Sequence, residues 1–584
     1  MSSLPSKVDP RPGDPSLDGA YQEHRTPDAS NATRYLCVGA QIDSTFGHRV
    51  LRETLEQRHR SIAPSFGFDL VPVVLSALSA RRRLMQRDTL LVLISGLNFL
   101  VSPVGTVVTA LSWLWVRFAY RSTRQRRPQR PHYALWIATL ACVVVIPALL
   151  IIGLLLALLA GALAPLRGNL GLLIVGPIVV LFRSSRLIAA PYVFVPSLAA
   201  VWAILLWDRF TTRDILVNTL GPKTYSRSGL QPRTREQRAR LGPRLEDAEG
   251  QSNVTVYSGH FPFLGAGDLL RTWSFTVDLS RRSDDSNGKH QDPESFAISS
   301  LHEFVASRID ELRSPGLDPA QRLVGLTIED RLFVSGRAVH LVPKLLPDPH
   351  RPPRSWVEPH VVQQIIDNPR GVVRHFKCYR VESWAQEIAL SVFLHFTIDG
   401  KTLYVEQTAC VLPPIQAEYH MVDKLARSPL PGETFNLMLL ALKDVPASLL
   451  RAPVDLLAIL LSEHQEYRQY RRFEAQLNAG LPIDYGAETS VRHLAADEDF
   501  HNYFQELDHF RHRHIIELHT LTAILDFLES RHIDTGEFRA RQTTILNSGI
   551  FMPGGSITDS SVAGGTGATA TGSSPGRKEK STDG

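Results

Sequence analysis

Between Thr89 and Trp207 long uncharged runs alternate with clusters of arginine, and this alternation constrains the fold more than any other feature of the chain. Residues 89–116, 133–166 and 187–207 contain no Asp, Glu, Lys or Arg. A helix of roughly 20 apolar residues spans the hydrocarbon layer of a bilayer, and in lipid every backbone polar group must be satisfied within the helix. Runs of this length predict an α-helical transmembrane block over 89–207 with about four apolar segments. Residues 89–116, broken by Gly96, Pro103 and Gly105, suit a hairpin, a re-entrant loop or one tilted span. Residues 133–166 suit one tilted helix or two short ones, and 170–182 a half-buried stretch. Residues 187–207 have the length of a full crossing, with Trp202 and Trp207 placed for the interfacial belt. An even number of crossings would hold the N- and C-terminal regions in the cytoplasm, beneath a plasma membrane that the chain crosses several times.

The net charge of +5 over 584 residues is too small to suggest nucleic acid as a partner. The position of the positive charge says more. Arg81, Arg82, Arg83 and Arg87 precede the first uncharged run; Arg117, Arg121, Arg124, Arg126, Arg127 and Arg130 follow it without an acidic residue among them. Arginines flanking apolar spans orient them and bind anionic headgroups, so the expected partner is the lipid bilayer. No protein partner is indicated. Four cysteines make no disulfide framework, and Cys378 and Cys410, on neighbouring predicted strands, read as free thiols. The first 34 residues lack an apolar core, so no cleavable signal peptide is expected.

By composition, 1–33 is a disordered tail and 34–88 a juxtamembrane cytosolic segment. Within the latter, 35–42 reads as a strand, 43–58 as a short amphipathic helix, and Asp69 as the N-cap of a helix over 70–84. Residues 208–252, punctuated by Gly221-Pro222, Gly229 and Gly242-Pro243, form a linker. A soluble α+β domain follows over 253–547, and 548–584 is a disordered Gly/Ser/Thr-rich tail. In the domain, Trp273, Phe275, Val277 and Leu279 alternate with polar residues, and 253–258 and 326–334 also read as strands. Ile388, Leu390, Val392, Leu394, Phe396 and Ile398 alternate in the same way, and Asp399-Gly400 supplies the positive φ of a tight turn. Leu403, Val405, Ala409 and Val411 continue the period and complete a hairpin. Helices are predicted over 294–312, 358–367, 435–450, 454–477 and 499–531, with Pro453 separating the third from the fourth. Lys443, Asp444, Arg451 and Asp455 favour packing of that apolar stretch on the sheet over a membrane span. The fold class expected is thus a membrane α-helical block plus a cytosolic α+β domain with antiparallel strands and C-terminal amphipathic helices.

Chemistry-bearing patterns are sparse, and the residues indicate no catalytic, cofactor-binding or metal-binding set. The loop from Gly259 to Asp268 follows a predicted strand and offers backbone amides to a phosphate. It lacks the third glycine of the dinucleotide fingerprint and the Gly-Lys-Ser/Thr of a P-loop, and Phe261, Pro262 and Phe263 within it suggest a packed turn. His302-Glu303 opens like a zinc-protease helix, but Ala306 stands where the second histidine belongs. His501, Asp508, His512 and His519 approach one face of the last long helix as a metal or pH-sensing set would. Arg511 and Arg513 interleave them, which favours a solvated face with His514 as its core histidine.

Three blocks, Arg34-Tyr-Leu-Cys37, 63–68 (APSFGF), and Val256-Tyr-Ser-Gly259 with Phe263, Gly265 and 273–279 (WSFTVDL), resemble those of uncharacterised multi-pass membrane proteins of actinobacteria. Preference for arginine over lysine agrees with a GC-rich genome. The resemblance implies a bacterial plasma membrane and brings no activity with it. The expected function is a membrane-anchored cytosolic scaffold, sensor or interaction module. A membrane-bound enzyme or nucleotide-responsive protein using the loop from Gly259 to Asp268 is the alternative, and a transporter or channel component the third.

Overall fold

The computed structural model describes residues 31–101, 185–226, 252–281, 292–368 and 371–547. In chain order these form helices α1 (Asn31–Ile42), α2 (Ser44–Leu51), α3 (Leu70–Val101) and α4 (Ser185–Asn218), then strands β1 (Val254–Tyr257) and β2 (Asp268–Asp278). Helix α5 (Ile298–Asp310), β3 (Leu326–Ser335), α6 (Pro359–Asp367), β4 (Val373–Ser383), β5 (Ile388–Asp399) and β6 (Thr402–Leu412) follow. A 3-10 helix (Ala417–Lys424) leads to α7 (Pro431–Asn478), the single turn α8 (Val491–Leu494), α9 (Tyr503–Ser530) and α10 (Gly536–Asn547). The chain divides into two compact units, one of Met1–Leu78, Thr219–Lys424 and Tyr470–Gly584, the other of Ser79–Asn218 and Leu425–Gln469.

The first unit is built on one six-stranded sheet of order β1-β3-β4-β5-β6-β2. The hairpin β5–β6 lies where alternation and Asp399-Gly400 place it, with Asp399 paired to Thr402 and Gly400 at φ 61°. Burial on β5 runs without a break from Ile388 to Phe396, as a strand inside a sheet covered on both faces requires. Leu390, Val392, Leu394 and Phe396 share one face with Tyr379, under Leu301 and Val305 of α5 and Ile516, Ile524 and Phe527 of α9. Phe393 lies on the other face with Phe333, Phe376, Cys378 and Cys410. All ladders are antiparallel except β1 with β3, which is parallel. The purely antiparallel expectation is therefore corrected to a mixed sheet.

Residues 35–42 form part of a helix, not a strand. They are buried nearly all round, and a short apolar run has no period that separates a buried strand from a buried helix.

In the second unit Leu91 of α3, Val201 and Leu205 of α4, and Ala441, Val445 and Ala452 of α7 bury one another. Part of the apolar stretch of α7 thus packs on helices α3 and α4, and α7 runs unbroken through Pro446 and Pro453. The multi-pass membrane block does not stand, and neither does the plasma-membrane placement drawn from it. Among the described residues a single helix, α7, is long and apolar enough to cross a membrane, and it lies outside 89–207. The uncharged run from Thr89 continues a helix that already carries Arg81, Arg82, Arg83, Arg87 and Asp88. An uncharged run reports apolar surface that must be covered; in this unit part of that cover is protein. Residues 102–184, with the run 133–166 and most of 89–116, lie outside the described residues.

Candidate functional site

Strand β1 joins β3 only from Val254, opposite Leu332, so the stretch of β3 before Leu332 runs on past the start of its neighbour. A cleft of about 550 Å³ opens there, between this edge, Ser252 and Asn253, Trp356 and helix α6. Strand alternation sends Glu329 and Arg331 to one face of the sheet and Asp330 to the other.

On the first face, Glu329 accepts hydrogen bonds from Arg331 at 2.6 Å and Arg380 at 3.2 Å. Burial works to raise this carboxyl, but the two arginines hold it below its usual range. Both guanidinium groups lie over the ring of Phe66, at 4.8 and 4.9 Å from its centroid, a favourable cation–π arrangement. Arg380 also pairs with Glu382 at 3.2 Å. On the second face, Asp330 receives His375 Nε2 at 2.8 Å and Lys377 Nζ at 2.9 Å. Burial again acts to raise the acid, while His375 and Lys377 hold it far below the carboxylate range. Behind them His302 packs edge-on against His375, 4.9 Å between centroids. Burial, then the neighbouring His375, Lys377 and His395, keep His302 neutral.

Each formal charge in the cleft wall therefore has an opposite partner within the protein. Such a wall offers hydrogen bonds without net charge, which suits a neutral polar or zwitterionic ligand better than a polyanion.

A second constellation lies elsewhere in this unit. Sequence spacing groups His501 with Asp508, His512 and His519; the structure sets it beside Glu387 and His420, with one ligand atom of each within 4.8 Å of the others. Asp508 instead accepts a hydrogen bond from Trp384 Nε1 at 3.1 Å. The core histidine of α9 is His509, stacked on Phe500, and His514 is exposed. Glu387, in a turn, and His420, a lone histidine in a short 3-10 helix, carry no spacing signal; only the tertiary fold joins them.

The loop from Gly259 to Asp268 folds over the first face of the sheet, the one that carries Glu329 and Arg331. Its Phe263 is buried against Phe333, Phe376 and Phe393, at 5.1, 5.3 and 4.5 Å between centroids. A Cβ on Gly267 would fall 2.0 Å from the Val411 carbonyl oxygen, so this glycine permits backbone to meet backbone. Cys378 and Cys410 are free and buried beside that aromatic cluster. In the second unit Arg83 pairs with Asp208 at 3.1 Å, Arg87 bridges Asp208 and Asp88, Arg81 donates to Ser462, and Arg82 is exposed. Arg117, Arg121, Arg124, Arg126, Arg127 and Arg130 lie outside the described residues.

The sheet and the helices on its faces define an α+β domain of mixed topology. Residues 272–559 match the family model for the AbeC-like domain, an uncharacterised family, a span that opens inside β2 and takes in α5, β3–β6, α9 and α10. No curated protein matches the chain, and no solved structure does.

Proposed function

We propose that this chain is a ligand-responsive interaction module, a sensor or scaffold whose sheet domain takes up a small, charge-balanced polar molecule at the β3 edge. One observation carries the reading: a cleft of about 550 Å³ whose Glu329, Asp330, Arg331 and Arg380 are already paired with protein groups. Pre-paired charges fix donors and acceptors in place, so a ligand binds without reorganising them. Trp356 and Val362 give it an apolar wall. The blocks quoted above and the preference for arginine support an actinobacterial origin.

Melting of the full-length protein against amino acids, nucleosides, sugars and nucleoside phosphates tests this. Stabilisation by a neutral or zwitterionic compound, lost in Arg331→Met, is the expected result. Stabilisation by nucleoside phosphates alone, kept in Arg331→Met, would move the site to the loop from Gly259 to Asp268. Turnover in a broad hydrolase and nucleotidase screen would overturn the non-enzymatic reading.

A further inference from the structure

Three side chains far apart in sequence converge on one point of the first unit. Glu387 closes the turn between β4 and β5, His420 lies in the 3-10 helix after β6, and His501 stands just before α9. The turn that delivers Glu387 is strained. Trp384, Ala385 and Gln386 take φ of 53°, 55° and 70°, three left-handed residues in succession without a glycine. Left-handed conformations at non-glycine residues are disfavoured, and they persist where the surroundings over-determine them. Here Trp384 is tied to Asp508, and the buried Arg492 guanidinium donates to the Glu387 carbonyl.

The His501 imidazole is held as a ligating histidine is. The Asp497 carboxylate lies 3.1 Å from His501 Nε2, which leaves Nδ1 of that ring for another partner. The Ile415 carbonyl accepts from the His420 ring, while His420 Nε2 is buried without a hydrogen-bond partner among the described residues. His420 Nδ1 stands 3.7 Å from Glu387 Oε1, too far for a hydrogen bond. A carboxylate behind a histidine, as Asp497 stands behind His501, is an outer shell that metal-bound histidines use. Tyr35 stacks on the His420 ring at 3.9 Å and, with Arg34, engages Asp423, so that carboxylate is held by other groups.

We infer that Glu387, His420 and His501 bind one divalent transition-metal ion of the Zn²⁺ or Fe²⁺ class, independently of the β3-edge cleft. Two imidazole nitrogens with a single carboxylate select such borderline ions over Ca²⁺ and Mg²⁺, which take oxygen ligands. Donors about 2.0–2.1 Å from a tetrahedral ion lie about 3.4 Å from one another, so the trio closes by rotations of about 1 Å. Three protein ligands leave a position for water or a small ligand.

Full-length protein stripped by chelator and titrated with Zn²⁺ and Co²⁺ is expected to take up one equivalent, with visible d–d absorption in the Co²⁺ form. Glu387→Gln, His420→Ala and His501→Ala each weaken uptake by about 100-fold or more, and Asp497→Asn by about 10-fold to 100-fold. His514→Ala and His519→Ala leave it unchanged. Circular dichroism of the stripped variants establishes their fold, and His501→Gln, which keeps a hydrogen-bonding side chain, shows the same loss on a folded chain. Wild-type protein that takes up neither ion at micromolar concentration overturns the assignment. So does uptake that survives His420→Ala and His501→Gln.

Discussion

Phe263 stacks on Phe393 with ring centroids 4.5 Å apart, and this contact makes the 259–268 loop part of the core. Removing an aromatic side chain from such a site costs about 3–5 kcal/mol. Phe263→Ala is expected to lower the urea midpoint of the first unit accordingly. A loss under about 1 kcal/mol would mean that the loop stands free of the sheet.

Two glycines of that loop separate conformation from crowding. Both have positive φ, 85° at Gly259 and 89° at Gly267, but a Cβ on Gly259 meets nothing within 4 Å. Gly259→Ala therefore carries only the backbone penalty, about 1–2 kcal/mol. Gly267→Ala adds a collision with Val411 and Leu412 on β6, and should cost more than its counterpart in the same unfolding assay. Equal losses would remove the close approach as the reason for glycine at 267.

His395 makes stability depend on pH. Neutral, it sits between the His375 carbonyl at 2.6 Å and the Thr397 hydroxyl at 2.8 Å. Burial first, then the charges of His375 and Arg374, bring its pKa down from 6.5 to about 4, against the opposing bond to the His375 carbonyl. The unfolded chain therefore takes the proton first as pH falls. The stabilisation is complete above about 6.5 and is lost as pH falls through about 4, some 3 kcal/mol at most. His302, also lowered chiefly by burial, acts in the same direction. The urea midpoint should drop between pH 7 and pH 5, and His395→Gln should flatten that drop. An unchanged slope in the variant would place the pH dependence elsewhere.

What the sequence disclosed was local. The hairpin was legible because both strands lie within two dozen residues and Asp399-Gly400 announces the turn. The strand from Trp273 showed its half-buried period, and α9 its amphipathic length. The parallel pairing of β1 with β3 was not legible, since it joins Val254 to Leu332 across a connection that holds β2 and α5, and a local period does not say which strand pairs with which. The site was harder still. His501 was visible but attracted the wrong partners, because helical spacing groups residues along α9 while its true neighbours come from a turn and a 3-10 helix. The left-handed turn at 384–386 lacks the glycine that would have flagged it. In the helical unit, charge-free runs predict contact with lipid, but counting charges cannot say whether lipid or another helix covers an apolar face.

The arginines before Thr89 give that ambiguity a measurement. Arg83 is buried on α3 and pairs with Asp208 of α4 at 3.1 Å, and Arg87 reaches the same carboxylate at 3.3 Å. Deleting one member of a buried pair leaves an uncompensated charge and costs about 3–5 kcal/mol, whereas replacing both with apolar residues of similar size is often close to neutral. Asp208→Asn should therefore destabilise the helical unit strongly. The double variant Arg83→Met with Asp208→Leu should recover much of the loss, less what Arg87 forfeits. A headgroup ligand would behave otherwise: Arg83→Met would weaken binding to anionic vesicles and leave the unfolding midpoint in place, and Asp208→Asn, which uncovers positive charge, would strengthen it. Recovery in the double variant, with vesicle binding unmoved by either change, assigns Arg83 to the helix pair and removes it from the residues available to lipid.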